Sequence, residues 1–185
     1  MNKPIILASR SPRRQELLRQ AGIAYEVDPA DIEEVMDPAL PLDQRIMALA
    51  KAKASAVLAR HPDRLVVGAD SVVALDDRIM GKAHDRAQAR QFLESLSGKV
   101  HQVVTGVAIM DASSCETFCS ASKVYFYPLS AREIDNYLDS LEWQDKAGAY
   151  AIQGLGCRFV EKIEGDYNNI VGLPVARLYR ELMQF

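Results

Sequence analysis

The residues best placed to do chemistry are one carboxylate where a carboxylate is costly and several cations whose spacing points at an anion. Asp70 and Ser71 stand in the middle of the apolar run from Leu65 to Leu75. An ionised carboxylate in such a run needs a cation, a metal or several N–H donors. A turn at Asp76-Asp77 followed by Arg78-Ile79-Met80 returns the chain to Gly81-Lys82, and a hairpin there brings Lys82 near Asp70. A structural Asp70 to Lys82 ion pair and a shared site are equal readings at this stage.

A second group of cations lies in the first loop, Ala8-Ser9-Arg10-Ser11-Pro12-Arg13-Arg14, after the apolar segment Ile5-Ile6-Leu7. Ser11 followed by Pro12 is a helix start, with a side-chain cap and then proline at the first helical position. Free backbone N–H groups at that start, with Arg10, Arg13 and Arg14 beside them, make an anion cradle. The competing reading is a set of solvated surface arginines. The loop has none of the glycines of a P-loop, so its side chains must do more of the binding.

Lys53 is the third feature. From Leu42 to about Arg60 the spacing predicts a helix with Ile46, Leu49, Lys53 and Val57 on one stripe. A lysine there either snorkels to the edge or reaches into a site. An acidic patch, Asp31, Glu33, Glu34 and Asp37, precedes this helix.

Together these residues suit a metal–polyphosphate substrate. The cations Arg13, Arg14, Lys53 and Lys82 offset phosphate charge, and Glu34 and Asp70 hold Mg²⁺ or Mn²⁺ through oxygen and orient a water. No Ser/His/Asp triad or Cys/His pair is apparent, so direct attack by water is expected rather than a covalent intermediate. Asp70 is the candidate base, directly or as a metal ligand.

The elements that must position these residues alternate in type. Strands are expected at Ile5 to Leu7, Ile23 to Val27, Leu65 to Gly68 resuming at Val72 to Leu75, His101 to Met110, Thr117 to Tyr127 and Phe159 to Ile163. Helices are expected from Pro12 to a left-handed cap at Gly22, from Leu42, from a cap at Asp85 to Leu96, from the capping box Ser130 to Glu133 through Leu141, and from Pro174 to near Phe185. Three glycines in the stretch from Asp145 to Gly156 permit tight backbone approach.

Composition bounds the function. The chain has 185 residues, 49% of them hydrophobic, enough for a core of one domain over residues 1–185 or of one domain with two lobes. A net charge of −3 argues against a nucleic-acid-binding face, and no apolar run suggests a membrane span or a signal peptide. A cytoplasmic protein is the expectation. The three cysteines form no C-x-x-C pair and the three histidines form no cluster, so neither disulfides nor zinc are indicated.

Six strings in order resemble the Maf family of nucleotide pyrophosphatases, historically named septum-formation inhibitors. They are Leu7 to Arg14, Gly68 to Val73, Gly81-Lys82, Asp145 to Tyr150, Ile152-Gln153-Gly154 and Val171 to Pro174. The resemblance covers essentially the whole chain. It implies a mixed α/β fold with an elongated twisted sheet flanked by helices, two lobes with a central cleft, and a homodimer. It implies hydrolysis of a nucleoside triphosphate between the α- and β-phosphates with divalent metal. Ser9, Arg13, Arg14, Lys53 and Lys82 would contact phosphates, Glu34 and Asp70 would serve metal and water, and Asp70 would accept the proton. The acidic patch also offers Glu33 in place of Glu34.

The resemblance further implies a substrate. Arg13, Ser71 and Gln153 match members acting on dTTP and UTP, with modified pyrimidine nucleotides as further substrates. The 7-methyl-GTP branch, with an aromatic residue, Gln and Glu at those places, is the alternative, and a nucleotide-binding regulator of septum formation without turnover is another. An amide at 153 can donate and accept, matching the O4/N3–H edge of uracil or thymine. The chain departs from the family pattern at Ser71, where Thr is more usual, and at Ala83, where Pro is common.

Overall fold

The fold follows from two short parallel strands, 5–7 and 25–27, and three long ones that run past them. A computed structural model describes residues 4–76 and 78–185; Asp77, half of the expected turn, lies outside the described residues. Strand β1 (Ile5–Leu7) is wholly buried and leads through the first loop into α1 (Pro12–Gln20) and β2 (Tyr25–Val27). Helix α2 (Leu42–Leu58) precedes β3 (Val66–Leu75), β4 (Arg78–Met80), α3 (Arg86–Leu96), β5 (Val100–Met110) and β6 (Cys115–Phe126). The chain ends with α4 (Ala131–Asp139), a 3₁₀ turn Gly154–Phe159, β7 (Val160–Glu164), α5 (Tyr167–Val171) and α6 (Val175–Leu182).

The strands form one mixed seven-stranded sheet in the order β2-β1-β3-β5-β6-β7, with β4 paired to β3. Strand β1 runs parallel to both β2 and β3, whereas β4 and β7 are antiparallel to β3 and β6. The mixed α/β expectation holds. The difference that bears on the site is in β3, a single ten-residue strand through Asp70 and Ser71, not two segments. Both polar side chains have protein partners, so neither has to end the ladder.

The chain divides into two compact units, and β3, β5 and β6 pass from one into the other. The first holds the described residues up to Ser71, Thr105–Ser120 and Gly172–Phe185. Its core packs Ile6 and Val66 of the sheet with Ala50, Ala54 and Val57 of α2. At the end of α1, Gly22 takes φ +68°, the left-handed cap its position suggested.

The second unit, Val72–Val104 with Ala121–Val171, has an aromatic core. The Phe126 ring meets His101 and Tyr150 edge-on at 4.8 Å each, and Phe159 meets Tyr137 at 5.0 Å. Helix α4 opens with the expected capping box, Ser130 accepting from the Glu133 N–H and Glu133 accepting from the Ser130 N–H.

His101 is buried, with Nε2 2.7 Å from the Tyr150 hydroxyl, and Nδ1 has no hydrogen-bond partner among the described residues. Burial lowers its pKa from 6.5 to about 4. The unfolded chain therefore binds the extra proton first, and stability falls as pH drops from about 6.5 towards 4. Thermal melts across that window should show a smaller loss of melting temperature for His101→Gln than for the parent protein.

Candidate active site

The first loop is built on one buried guanidinium. The Ser11 hydroxyl caps α1 by accepting from the Arg14 N–H at 3.4 Å, which turns Arg14 inward on the first helical turn. Arg14 is only 8% exposed. Its Nε donates to the Gly172 carbonyl at 2.8 Å, Nη1 to the Ala69 carbonyl at 2.9 Å and the Ser9 hydroxyl at 3.1 Å, and Nη2 to the Ser71 hydroxyl at 3.0 Å. Four of its five N–H groups thus go to protein acceptors. Burial lowers its pKa; the field of Asp70 opposes this, Arg13 adds to it, and Glu34 opposes it.

Ser9 is held in turn, its hydroxyl also accepting from the Ser11 N–H at 3.2 Å. Arg13 stands half-buried one residue before Arg14, and Arg10 is exposed. The loop therefore combines a fixed cation with others nearer to solvent.

Asp70 and Lys53 meet because α2 lies unusually close to the sheet. A Cβ on Gly68 would fall 2.2 Å from the Ala50 carbonyl oxygen, and one on Gly106 would fall 2.5 Å from the Ile46 carbonyl. Two glycines thus let helix backbone touch strand backbone. One turn beyond Ala50 and two residues beyond Gly68, the Lys53 ammonium reaches the Asp70 carboxylate at 2.5 Å. The same Nζ lies 2.7 Å from Glu34. Lys53 is 7% exposed, so it reaches inward instead of snorkelling. The acidic patch resolves as well, since Glu34 is the member paired with Lys53.

Two carboxylates converging on one ammonium make a point where a divalent cation can also be held. No group of three or more His, Cys, Asp or Glu side chains with metal-binding geometry occurs among the described residues. Mg²⁺ is commonly bound through one or two carboxylates, with waters and substrate phosphates completing its shell. The donor set of Glu34 and Asp70 therefore fits such an ion.

Ser71 lies beneath this chemistry in the hydrogen-bond network. Its hydroxyl takes the Arg14 Nη2 hydrogen, sits 2.8 Å from the Thr105 hydroxyl, and donates weakly towards the Gly172 carbonyl at 3.4 Å. Thr105 had no mark in the sequence, and Gly172 was marked only as part of the string Val171 to Pro174. The positive φ of Gly172, +138°, is a conformation that side chains rarely adopt and aims its carbonyl at Arg14.

Lys82 and Gln153 belong to the second unit. Lys82 is exposed and forms an antiparallel bridge with Ala147, next to a hydrogen bond from the Gly148 N–H to the Gly81 carbonyl at 3.0 Å. Gln153 is exposed and precedes the 3₁₀ turn. The expected β3 to β4 hairpin is present, pairing Val73 with Met80.

A family model described as Maf-like protein matches residues 4–185. A Bacillus velezensis protein called dTTP/UTP pyrophosphatase is 46% identical over 185 residues, covering 100% of this chain and 98% of that protein. A Bacillus cytotoxicus protein of the same name is 49% identical over 183 residues, covering 99% and 96%. Among solved structures, the Staphylococcus aureus Ham1 protein is 14% identical with a TM-score of 0.41, over 67% of this chain and 72% of that one.

The close approach of α2 is directly testable. Gly68→Ala places a methyl against the Ala50 carbonyl, so helix and strand must separate. The expected melting temperature is lower by roughly 3–10 °C, as for an overpacked core of this size. A crystal structure of the variant should show Lys53 withdrawn from Asp70.

Proposed function

We infer the activity from a premise that the comparisons supply: this chain belongs to the Maf family. It is read here as a nucleoside triphosphate pyrophosphatase that hydrolyses dTTP and UTP to the monophosphate and pyrophosphate, clearing nucleotide pools. Relatives that align along nearly their whole length with it are called dTTP/UTP pyrophosphatases. The observation that carries the reading is the Lys53 ammonium 2.5 Å from Asp70 and 2.7 Å from Glu34, in the same unit as the arginine-built loop.

In this reading Asp70 accepts a proton from the attacking water, which bonds to the α-phosphorus as the bond to the bridging oxygen breaks and pyrophosphate leaves. Lys53, 2.5 Å away, aims the Asp70 carboxylate. Ser9 and Arg13 contact phosphate oxygens, and Arg14 adds fixed charge and its remaining N–H. Glu34 and Asp70 would hold a divalent metal, Mg²⁺ or Mn²⁺, which supplies charge neutralisation and acidifies water when bound. Lys82 is assigned to phosphate contact, and Arg13, Ser71 and Gln153 to substrate selection. The chain is further proposed to act as one domain, in the cytoplasm, as a homodimer. No helix among the described residues is long and apolar enough to cross a membrane.

Pyrophosphate release from dTTP, UTP, CTP, GTP and 7-methyl-GTP with Mg²⁺ or Mn²⁺ tests this. Turnover should be highest with dTTP and UTP and vanish on chelation of the metal. Asp70→Asn should lose activity by about 10²–10⁴-fold while still binding nucleotide, the usual scale for a removed general base. Binding without release by the parent protein under any metal would replace the enzyme by a nucleotide-sensing regulator.

Selection at Gln153 has its own test. Gln153→Glu replaces a donor-acceptor amide with an acceptor alone, so the ratio of UTP to 7-methyl-GTP turnover should fall. An unchanged ratio would remove Gln153 from the specificity set.

A further inference from the structure

The hydrogen bonds around Arg14 form a continuous path that starts on a strand not assigned to the site. Thr105 of β5 is completely buried, and its hydroxyl lies 2.8 Å from that of Ser71. Ser71 Oγ accepts from Arg14 Nη2 at 3.0 Å, Arg14 Nη1 donates to Ser9 Oγ at 3.1 Å, and Ser9 Oγ accepts the Ser11 N–H at 3.2 Å. The path runs from the sheet interior to the backbone of the first loop.

We propose that Thr105 is a positioning residue for polyphosphate binding, setting the orientation of Arg14 and Ser9 through the Ser71 hydroxyl. The inference rests on the reading of the first loop as the phosphate site. It also assigns Ser71 a route of action: position 71 shapes the loop through Arg14 without touching the substrate base.

The hydroxyl chemistry supports this direction. With one lone pair of Ser71 taken by Arg14, the Ser71 hydrogen has two acceptors, Thr105 at 2.8 Å and the Gly172 carbonyl at 3.4 Å. In the other arrangement Thr105 donates to Ser71 and the Ser71 hydrogen goes to Gly172. Both arrangements keep Ser71 facing Arg14, and both need the Thr105 oxygen. Valine at 105 keeps the shape of threonine but leaves the Ser71 hydrogen only its longer acceptor, the Gly172 carbonyl. Removing one member of a buried hydrogen-bonded pair costs more than removing both.

The test is the Kd of inorganic tripolyphosphate, measured by titration calorimetry on the full chain without hydrolysis. Thr105→Val should weaken binding about tenfold, the scale of one lost hydrogen bond in a buried network, and Thr105→Ser should stay within about twofold of the parent protein. Ser71→Ala should weaken binding at least as much, and adding Thr105→Val to it should change Kd by less than about twofold. Unchanged affinity in Thr105→Val, or additive losses in the double variant, would overturn the proposal. A purely structural threonine would lower the melting temperature and leave Kd in place. Should the valine variant not fold, Thr105→Cys substitutes a weak hydrogen-bonding thiol of similar size, and an unchanged Kd there is equally decisive. Failure of the parent protein to release pyrophosphate from dTTP would remove the hydrolase reading alone, because the tripolyphosphate ratios stay readable.

Discussion

The chemistry of the first unit depends on the absence of two side chains. Gly68 and Gly106 remove the layer that normally separates a helix from a sheet, and Ala50 and Ala54 keep the facing helix surface thin. Only then can a lysine in the interior of α2 span the gap to a carboxylate on β3. A buried ammonium is costly to desolvate, and so is a carboxylate; each lowers the cost of burying the other only at short range. At 2.5 Å from the largely enclosed Asp70, Lys53 satisfies that condition, and the exposed Glu34, 2.7 Å from the same ammonium, adds a partner on the solvent side. Removing the ammonium would leave two carboxylates facing each other.

Lys53 and Arg14 divide the positive charge by mobility. A guanidinium offers donors in a rigid plane, and here four of them are taken by three different segments: the first loop, β3 and Gly172. Its charge is therefore fixed in place before any ligand arrives, so binding need not order it again. The lysine is a compact charge on a flexible stem and is paired with two carboxylates.

Local signals in the sequence were read correctly where a single residue type dictates the outcome. Ser11-Pro12 starts α1, Gly22 ends it in the left-handed region, and Ser130 with Glu133 closes a capping box. Lys53 on an apolar stripe left snorkelling and a site both open, without saying which partner it would find. The sequence offered Lys82 as the hairpin neighbour of Asp70, whereas the ion pair present is to Lys53, seventeen residues before it. That pairing depends on how deeply α2 sinks onto the sheet, which spacing within one element does not encode. The choice of Glu34 over Glu33 was open for the same reason. Thr105 was invisible because a threonine in a β-prone run is ordinary; only its hydroxyl's neighbour sets it apart. The second unit was less legible still: the 3₁₀ turn has no side-chain cap, the Asp166 cap that opens α5 stands outside any clear apolar pattern, and β7 begins one residue later than its apolar pattern.

The departure from the family at position 71 can be judged from this network. Serine and threonine share the oxygen and differ by a methyl, and the contacts at 71 with Arg14, Thr105 and Gly172 all involve the oxygen. Loss of the methyl therefore leaves the path from Thr105 to the loop intact. What it removes is stiffness, because threonine is restricted at χ1 and serine is not. In this chain the Ser71 rotamer is set by its neighbours instead of by its own branching, and the burden falls on Thr105, itself β-branched and buried on β5. On the proposed path, the stiffer Thr105 offsets the rotational freedom of the serine at 71.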